Sequence, residues 1–197
     1  PIKLSESLRY GENPHQSAGF YTPIEKDLPW KQLQGKQLSY NNYADMDSAF
    51  KIINEFKNKA CVIIKHANPC GFGMGYSTIN SYLKAVTTDP ISYFGGIVGF
   101  NHSVDGKTAE EITKSFLECI IAPEYSDEAL DIFKQKKNLR IVVYTNKNDE
   151  LEFNLRSVAG GYLYQQSDYF KEIVKNCEVV TEKKPSDLDW KAMDMGW

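Results

Sequence analysis

Lys65 and His66 are neighbours in the sequence and directly follow a short apolar run, Cys61 to Ile64. This run is rich in β-branched side chains and predicts a buried strand, and the segment Asn68 to Gly71 predicts a sharp turn after it. Ligands of open α/β sheets bind in the crevice beyond the strand ends. An ammonium beside an imidazole at that place could stabilise developing charge and transfer a proton. A solvated lysine and a hydrogen-bonded histidine in a polar turn are the alternative.

A second polar group spans Arg9 to Gln16, near the start of the chain. The guanidinium of Arg9 could hold a phosphate or a carboxylate in a bidentate fork. Asn13-Pro14 favours a turn that would keep Tyr10 and His15 in place. Composition alone favours a surface loop for this segment, with His15 in a supporting role.

Three further places could contact a polar or planar ligand. Asn42 and Asp45 accompany the start of a helical pattern, where they could cap the helix or reach a ligand above its amino end. Phe94 and Gly95 belong to a Gly-Gly turn, which could bring a ring and the backbone against a ligand or simply reverse the chain. Glu118 stands where a strand begins and could bind an amine or stay solvated. Neither the dinucleotide-binding glycine fingerprint nor a P-loop lysine motif is present.

Composition limits the class of protein. The 197 residues carry a formal net charge of -3 and a pI of about 5.7, which argues against nucleic acid as the main partner. No apolar run is long enough to span a membrane, and the first residues lack a signal-peptide pattern. Four widely spaced cysteines indicate reduced thiols in a cytoplasmic protein, and without a Cys-x-x-Cys pair we expect no zinc. Both ends lack ordinary start and stop signals, so we expect a fragment of a longer protein.

Apolar periodicity predicts helices and short strands in alternation, which is typical of an α/β layered sheet. We expect mostly loop with short extended pieces over the first 35 residues and a Gly-rich bend from Gly71 to Gly75. After residue 146 we expect extended segments at Leu151 to Val158, Gly160 to Tyr164 and Cys177 to Val180, then an amphipathic helix. The other predicted helices are 45–57, one opening at Ser77, 107–116 and 126–136, and the other predicted strands are one after the Gly-Gly turn, 118–122 and 140–145.

In their order along the chain, these segments resemble the bifunctional purine-biosynthesis enzymes that combine 5-aminoimidazole-4-carboxamide ribonucleotide (AICAR) formyltransferase with inosine monophosphate (IMP) cyclohydrolase. The resemblance covers essentially the whole chain and points to the amino-terminal half of the formyltransferase domain. It rests on four motifs and on weaker stretches near Ser157 to Leu163 and Val179 to Thr181. The four motifs are Leu8 to Gln16, Val62 to Gly71, Thr88 to Ile97 and Ile120 to Pro123.

The resemblance implies a three-layer α/β/α subdomain of the cytidine-deaminase-like type, without zinc. Residues 1–35 would form a loop-rich entry segment that carries part of the substrate site, and residues 36–197 would form the first of two such subdomains. The cyclohydrolase domain and the second subdomain would lie outside this sequence. The family also implies a homodimer with active sites shared between subunits.

The resemblance further implies formyl transfer from 10-formyltetrahydrofolate, a co-substrate, to the 5-amino group of AICAR. That amine is a poor nucleophile because its lone pair is delocalised, so His66 would remove its proton. Lys65 would stabilise the oxyanion and assist departure of the folate nitrogen. The substrate-binding positions implied by the match are Arg9, Tyr10, Asn42, Asp45, Phe94, Gly95 and Glu118.

Two rival functions remain. The chain could be a nonenzymatic nucleotide-binding or dimerisation module that is inactive without its missing half. A zinc-dependent deaminase of related fold is the other rival, but that enzyme requires a His-x-Glu and a Cys-x-x-Cys, and the sequence contains neither.

Overall fold

The structure is a computed structural model that describes residues 1–25, 28–145, 153–168 and 174–196. The chain divides into two compact units, Pro1–Asp149 and Glu150–Trp197. The first unit contains every residue that the sequence predicts for the site. The proposed boundary at residue 35 stays a prediction.

Eight strands and four α-helices are described in the first unit. The strands are β1 Ile2–Leu8, β2 Ala18–Pro23, β3 Trp30–Gln34, β4 Lys59–Lys65, β5 Asn68–Gly75, β6 Ile97–Phe100, β7 Cys119–Ala122 and β8 Arg140–Tyr144. The helices are α1 Tyr40–Asn54, α2 Thr78–Thr88, α3 Gly106–Thr113 and α4 Asp127–Phe133.

Six of these strands form one mixed sheet in the order β3-β8-β7-β6-β4-β5. Strands β6, β7 and β8 are parallel and are connected through α3 and α4, whereas β4 runs antiparallel to both of its neighbours, β6 and β5. Strand β3 is antiparallel to β8, and β1 pairs with β2 in a separate sheet. The reversal of β4 places its carboxyl end beside the amino ends of the parallel strands.

Helices lie on both faces of the sheet because successive side chains of a strand point to opposite sides. Ile64 of β4 lies in one apolar cluster with Met46 and Ile53 of α1. Its neighbour Ile63 lies in the other cluster, with Ala85 of α2 and with residues of α3 and α4. The α/β class predicted from the sequence is confirmed.

The Gly-rich bend predicted from Gly71 to Gly75 is wrong, because this segment is part of strand β5. A Cβ added at Gly71 would lie 2.3 Å from the carbonyl oxygen of Ala85, so the glycine lets α2 pack directly against the strand backbone. Pro69 is tolerated in the same strand because β5 lies at the sheet edge, where a missing N–H group costs least.

The first 35 residues contain more regular structure than predicted, since β1, β2 and β3 all lie there. The helix predicted from Asp45 begins earlier, at Tyr40, because Ser39 and Asn42 form a capping box. The Ser39 hydroxyl accepts from the Asn42 amide at 3.2 Å, and the Asn42 side-chain oxygen accepts from the Ser39 amide at 3.1 Å.

Other predicted helices and strands of the first unit are confirmed, with ends that differ by up to three residues. Ser77 and Ser126 cap α2 and α4 by accepting amide hydrogen bonds, as their positions in the sequence predict. The helix predicted at 107–116 is α3, and the strands predicted before and after it are β6, β7 and β8.

The second unit contains a hairpin of β9 Phe153–Val158 and β10 Gly161–Gln166, a short 3-10 helix at Val174–Asn176, and helix α5 Asp187–Gly196. The two predicted extended segments and the last helix are confirmed, apart from residues 151, 152 and 197, which lie outside the described residues. The strand predicted at Cys177 to Val180 is wrong, because that stretch has no regular structure. Over the whole described part of the chain, each helix is too short or too polar to cross a membrane.

Candidate functional site

Lys65, Glu118 and the turn at Phe94 and Gly95 lie at one end of the central strands of the six-stranded sheet. Strand β4 ends there, while β6, β7 and β8 begin there. Ile64, Ile97, Cys119 and Arg140 are neighbours across these four strands. Glu118 directly precedes β7 and therefore lies at the same end of the sheet. These residues thus lie at the amino ends of the parallel strands.

His66 and Ala67 form the two-residue loop between β4 and β5, so the turn predicted at Asn68 to Gly71 is wrong. Both residues have a left-handed backbone, with φ of 54° and 60°. Positive φ at both central residues is what a type I′ hairpin requires, and Asn-Gly is the usual sequence there. A non-glycine residue held in this region costs on the order of 1–3 kcal/mol, and such strain concentrates at functional sites.

Two hydrogen bonds hold this turn in place. The Asp45 carboxylate, on helix α1, accepts from the Ala67 amide at 2.6 Å. The Asn68 side chain donates to the His66 carbonyl oxygen at 2.9 Å. His66 is exposed, so its imidazole is accessible from a loop whose backbone is tied to the helix.

The Lys65 ammonium joins the hairpin to the Gly-Gly turn. Its Nζ atom donates to the carbonyl oxygens of Phe94 at 3.0 Å and Ser92 at 3.4 Å. An ammonium has three donors, so one remains for a ligand. Asp89 supports the acceptor loop by accepting from the amides of Ser92 at 2.8 Å and Ile91 at 3.0 Å. The hydrogen bond from the Ser92 side chain, followed by those from the two amides, lowers the pKa of the Asp89 carboxyl.

A backbone hydrogen bond to the segment before β7 holds Phe94 and Gly95 beside this lysine. Gly95 has a φ of 75°, and its amide donates to the Phe116 carbonyl oxygen at 2.9 Å. The Phe94 and Phe116 rings lie 5.3 Å apart, and both side chains are exposed. The turn therefore offers two aromatic rings at the surface, which suits contact with a planar ligand.

A partly buried polar contact connects α1 to Glu118, the residue before β7. Asn42 is 3% exposed and donates from its side-chain nitrogen to a Glu118 carboxylate oxygen at 3.1 Å. The same oxygen lies 3.7 Å from the Arg140 guanidinium. Glu118 is thus held by a neutral donor and a cation. Sequence analysis missed Arg140, whose only signal was a charge at the first position of a strand.

The Arg9 loop reaches this site through α1. The loop is closed by a hydrogen bond of 2.8 Å from the Gly11 amide to the Gln16 carbonyl oxygen. The Asn41 side chain donates to the Glu12 carbonyl oxygen at 3.4 Å, which joins the loop to the helix.

Arg9 lies 5.5 Å from the centre of the Tyr10 ring and is exposed, which leaves its guanidinium accessible to an anion.

The strand pair that carries this loop is also anchored on α1. Phe20 stacks on Tyr43 with ring centres 4.4 Å apart, and the Tyr43 hydroxyl donates to Glu6. Burial, followed by the hydrogen bond to Glu6, raises the pKa of Tyr43 well above its ordinary value. The Arg9 loop is therefore attached to a fixed support.

Helix α1 is the common element of the site. Three of its residues contact three of the predicted segments. Asn41 bonds to the Arg9 loop, and Asn42 bonds to Glu118. Asp45 bonds to the hairpin that carries His66. The fourth segment, at Phe94, is reached through Lys65. Sequence analysis did not select Asn41, and only the adjacent Asn42 pointed to a polar contact at this helix end.

No group of three or more His, Cys, Asp or Glu side chains that could hold a metal ion occurs among the residues described. A shallow cavity of about 400 Å³ lies beside Phe116 and is lined further by residues around Leu117, Lys136 and Lys137. Its lining includes none of the residues predicted for the site, which forms an open edge of the sheet instead.

Comparison with known proteins gives one family for the whole sequence. Residues 1–197 match the family model described as AICARFT/IMPCHase bienzyme. The chain is 48% identical, over 98% of its length, to the bifunctional purine biosynthesis protein PurH of Petrotoga mobilis. It is 49% identical, over 93% of its length, to the protein of the same name from Clostridium kluyveri.

The chain spans well under half of these relatives, 39% of the first and 37% of the second. Among solved structures, dCMP deaminase from the cyanophage S-TIM5 matches over 49% of this chain and 93% of its own, with 13% identity and a TM-score of 0.38. A score this low carries no argument about either fold or function.

Proposed function

The chain belongs to the AICARFT/IMPCHase bienzyme family, and from this premise we propose that it supplies Lys65 and His66 to a phosphoribosylaminoimidazolecarboxamide formyltransferase. The reaction moves a formyl group from 10-formyltetrahydrofolate to AICAR, on the route to IMP. The complete protein also has IMP cyclohydrolase activity, in segments beyond this chain. It works in the cytoplasm as a homodimer on small-molecule substrates.

Residues 36–197 belong to a three-layer α/β/α subdomain of the cytidine-deaminase-like type that uses no zinc. Support comes from the mixed sheet with helices on both faces. The chemistry of the donors also fits, since the crevice presents an ammonium, an imidazole and amides rather than a set of thiolates.

His66 is the base of the reaction. As the AICAR amine nitrogen bonds to the formyl carbon, its proton passes to the imidazole, which leaves the nitrogen neutral after attack. The bond from the formyl carbon to the folate nitrogen then breaks, and the folate nitrogen takes up the proton that the imidazolium releases. Formyl-AICAR and tetrahydrofolate are the products. The exposed position of His66 on a tied hairpin turn supports this role.

Lys65 stabilises the negative charge that develops on the formyl oxygen. Two of its three donors are used by backbone carbonyl oxygens, which fix the ammonium without neutralising it. A preformed donor of this kind stabilises a transition state because it needs no reorganisation when charge develops.

The substrate is held by side chains around this pair. Arg9 and Tyr10 contact the nucleotide phosphate and ribose side, and Phe94 with Gly95 lines the space between nucleotide and folate. Glu118 and Asn42 add polar groups beside the nucleotide, while Asp45 acts through the His66 turn. The exposed guanidinium of Arg9 and the exposed ring of Phe94 support these assignments.

One observation carries the proposal: the Lys65 ammonium binds the carbonyl oxygen of Phe94 while its neighbour His66 forms a hairpin turn bound by Asp45. These two bonds bring together residues that are far apart in the sequence, which supports the proposal.

The rival is a nucleotide-binding module without activity of its own. Two measurements separate the proposals: formyl transfer to AICAR by the complete protein, and calorimetry of AICAR with the 197-residue chain. Transfer by the complete protein supports the enzyme. Binding by the chain with no transfer in the complete protein supports the module and refutes the formyltransferase.

A further inference from the structure

We infer that Asp45 is a positioning residue, which holds the His66–Ala67 turn in its left-handed backbone conformation and thereby fixes the imidazole. For its catalytic consequence this inference rests on the proposed formyl transfer. It differs from the substrate contact that sequence resemblance implies for Asp45.

The turn has an external acceptor. In a two-residue hairpin loop the backbone amides of the central residues have no partner in the strand ladder, so they bond either to water or to another element. Asp45 supplies this partner for Ala67, at 2.6 Å through its Oδ1 atom. One carboxylate oxygen is therefore already engaged with the backbone.

The backbone conformation also needs external support. His66 and Ala67 both have positive φ, which residues with a Cβ rarely adopt. The only other hydrogen bond described on the two residues comes from the Asn68 side chain to the His66 carbonyl oxygen, and it acts within the hairpin. Asp45 is different because it ties the turn to another element, helix α1.

Helix α1 is a rigid reference for this bond. Met46, next to Asp45, is fully buried, and the helix start is fixed by the capping box at Ser39 and Asn42. A carboxylate on this helix therefore fixes the position of the His66 hairpin relative to Glu118, which α1 also contacts. Displacement of a reacting group by about 1 Å can cost 10²-fold in rate.

Four variants of the complete protein test the inference kinetically. In Asp45→Ala the turn loses its acceptor, and we expect kcat to fall by about 10- to 100-fold with KM for AICAR nearly unchanged. Asp45→Asn retains an oxygen that can accept from the Ala67 amide, so its kcat should stay within about threefold of the original.

Ala67→Gly supplies the decisive rescue. Glycine adopts positive φ without steric cost, so this change in the Asp45→Ala background should restore kcat at least about fivefold. Asp47→Ala is the matched control, since Asp47 lies on the same helix and its carboxylate contacts the exposed Lys51. A rise in KM with unchanged kcat in Asp45→Ala, and no recovery from Ala67→Gly, would overturn the inference in favour of substrate contact.

Amide hydrogen exchange of Ala67 in the 197-residue chain gives a readout independent of the reaction. Exchange should be at least about tenfold faster in Asp45→Ala and unchanged in Asp47→Ala. Unchanged exchange in Asp45→Ala refutes the inference, even if the complete protein transfers formyl groups. Faster exchange together with an inactive complete protein supports the positioning of the turn and refutes the proposed function alone.

Discussion

The Lys65 ammonium lies 3.0 Å from the carbonyl oxygen of Phe94, a residue that is 29 positions away in the sequence. Strand β4 ends at Lys65 and the adjacent strand β6 begins just after Phe94, so the antiparallel pairing of the two strands creates this contact. The lysine therefore holds the Gly-Gly turn and keeps one donor for a ligand. A lysine bound in this way is preorganised for charge stabilisation.

Removing the Lys65 charge should reduce turnover strongly. Lys65→Met preserves most of the apolar stem but deletes the donors, and loss of one such donor typically lowers kcat by about 10²- to 10³-fold. Steady-state formyl transfer by the complete protein measures this.

Lys84→Met is the matched control, because Lys84 also donates to a backbone carbonyl oxygen, that of Met74, near the far end of β5. Equal activities of the two variants would mean that Lys65 has no special role.

Changing Asn42 to aspartate should destabilise the first unit. Asn42→Asp retains the oxygen that accepts from Ser39 but replaces the donor to Glu118 with a second carboxylate. An unsatisfied or repelled buried polar group costs about 1–3 kcal/mol, so the midpoint of urea unfolding should fall.

Asn41→Asp gives the same change of charge at the same helix end, on an exposed side chain, and removes only the 3.4 Å hydrogen bond to the Glu12 carbonyl oxygen. Negative charge is favourable at a helix amino end, so this control should lower the midpoint much less than Asn42→Asp. Similar losses in both variants would contradict the importance of the Asn42–Glu118 bond.

Acid should release the loop that binds Lys65. Hydrogen bonds from the Ser92 side chain and from two amides lower the pKa of the folded Asp89 carboxyl. A lowered folded pKa contributes stability that is present above the unfolded pKa, about 3.9 for aspartate, and is lost as pH falls through the folded value.

Nuclear magnetic resonance titration of the 197-residue chain should show the Ile91 and Ser92 amides changing together with Asp89, with a midpoint below about 3.9. In Asp89→Asn this transition should disappear. A midpoint at or above the ordinary aspartate value would contradict the geometry of the loop.

The cysteines should react with iodoacetamide in an order set by burial. Cys177 is exposed and should react first. Burial raises the pKa of the partly buried Cys70, which slows its reaction because only the thiolate attacks. Burial raises the pKa of Cys61 and Cys119 far more, so these two should react only on unfolding.

Peptide mapping after timed labelling gives the order directly. Early modification of Cys61 or Cys119 would contradict the fold, since both lie in central strands of the sheet.

Local sequence patterns predicted the buried strands and the capped helix starts. Short β-branched runs gave the buried strands, and Ser77 and Ser126 marked helix starts because each caps a helix through its own hydroxyl. The placement of Lys65 at a strand end followed from the apolar run before it. Such features depend on a few neighbouring residues.

Tertiary packing decided the features that the sequence did not predict. Gly71 resembles a turn residue, yet its role is to let α2 approach strand β5. The Ala67 turn carries no glycine signal, because a carboxylate from another element supports it. The contact of Glu118 with Arg140 depends on the parallel register of β7 and β8, which local sequence does not encode.

Turnover of the His66→Ala variant of the complete protein tests the central claim most directly. His102→Ala is the matched control, because His102 follows the opposite end of β6 and its ring bonds to Asn101 at 2.8 Å. We expect formyl transfer to AICAR to fall by about two to four powers of ten in His66→Ala, the scale of acid–base catalysis, and to remain near the original rate in His102→Ala. Normal turnover of His66→Ala would contradict the assignment of the catalytic base.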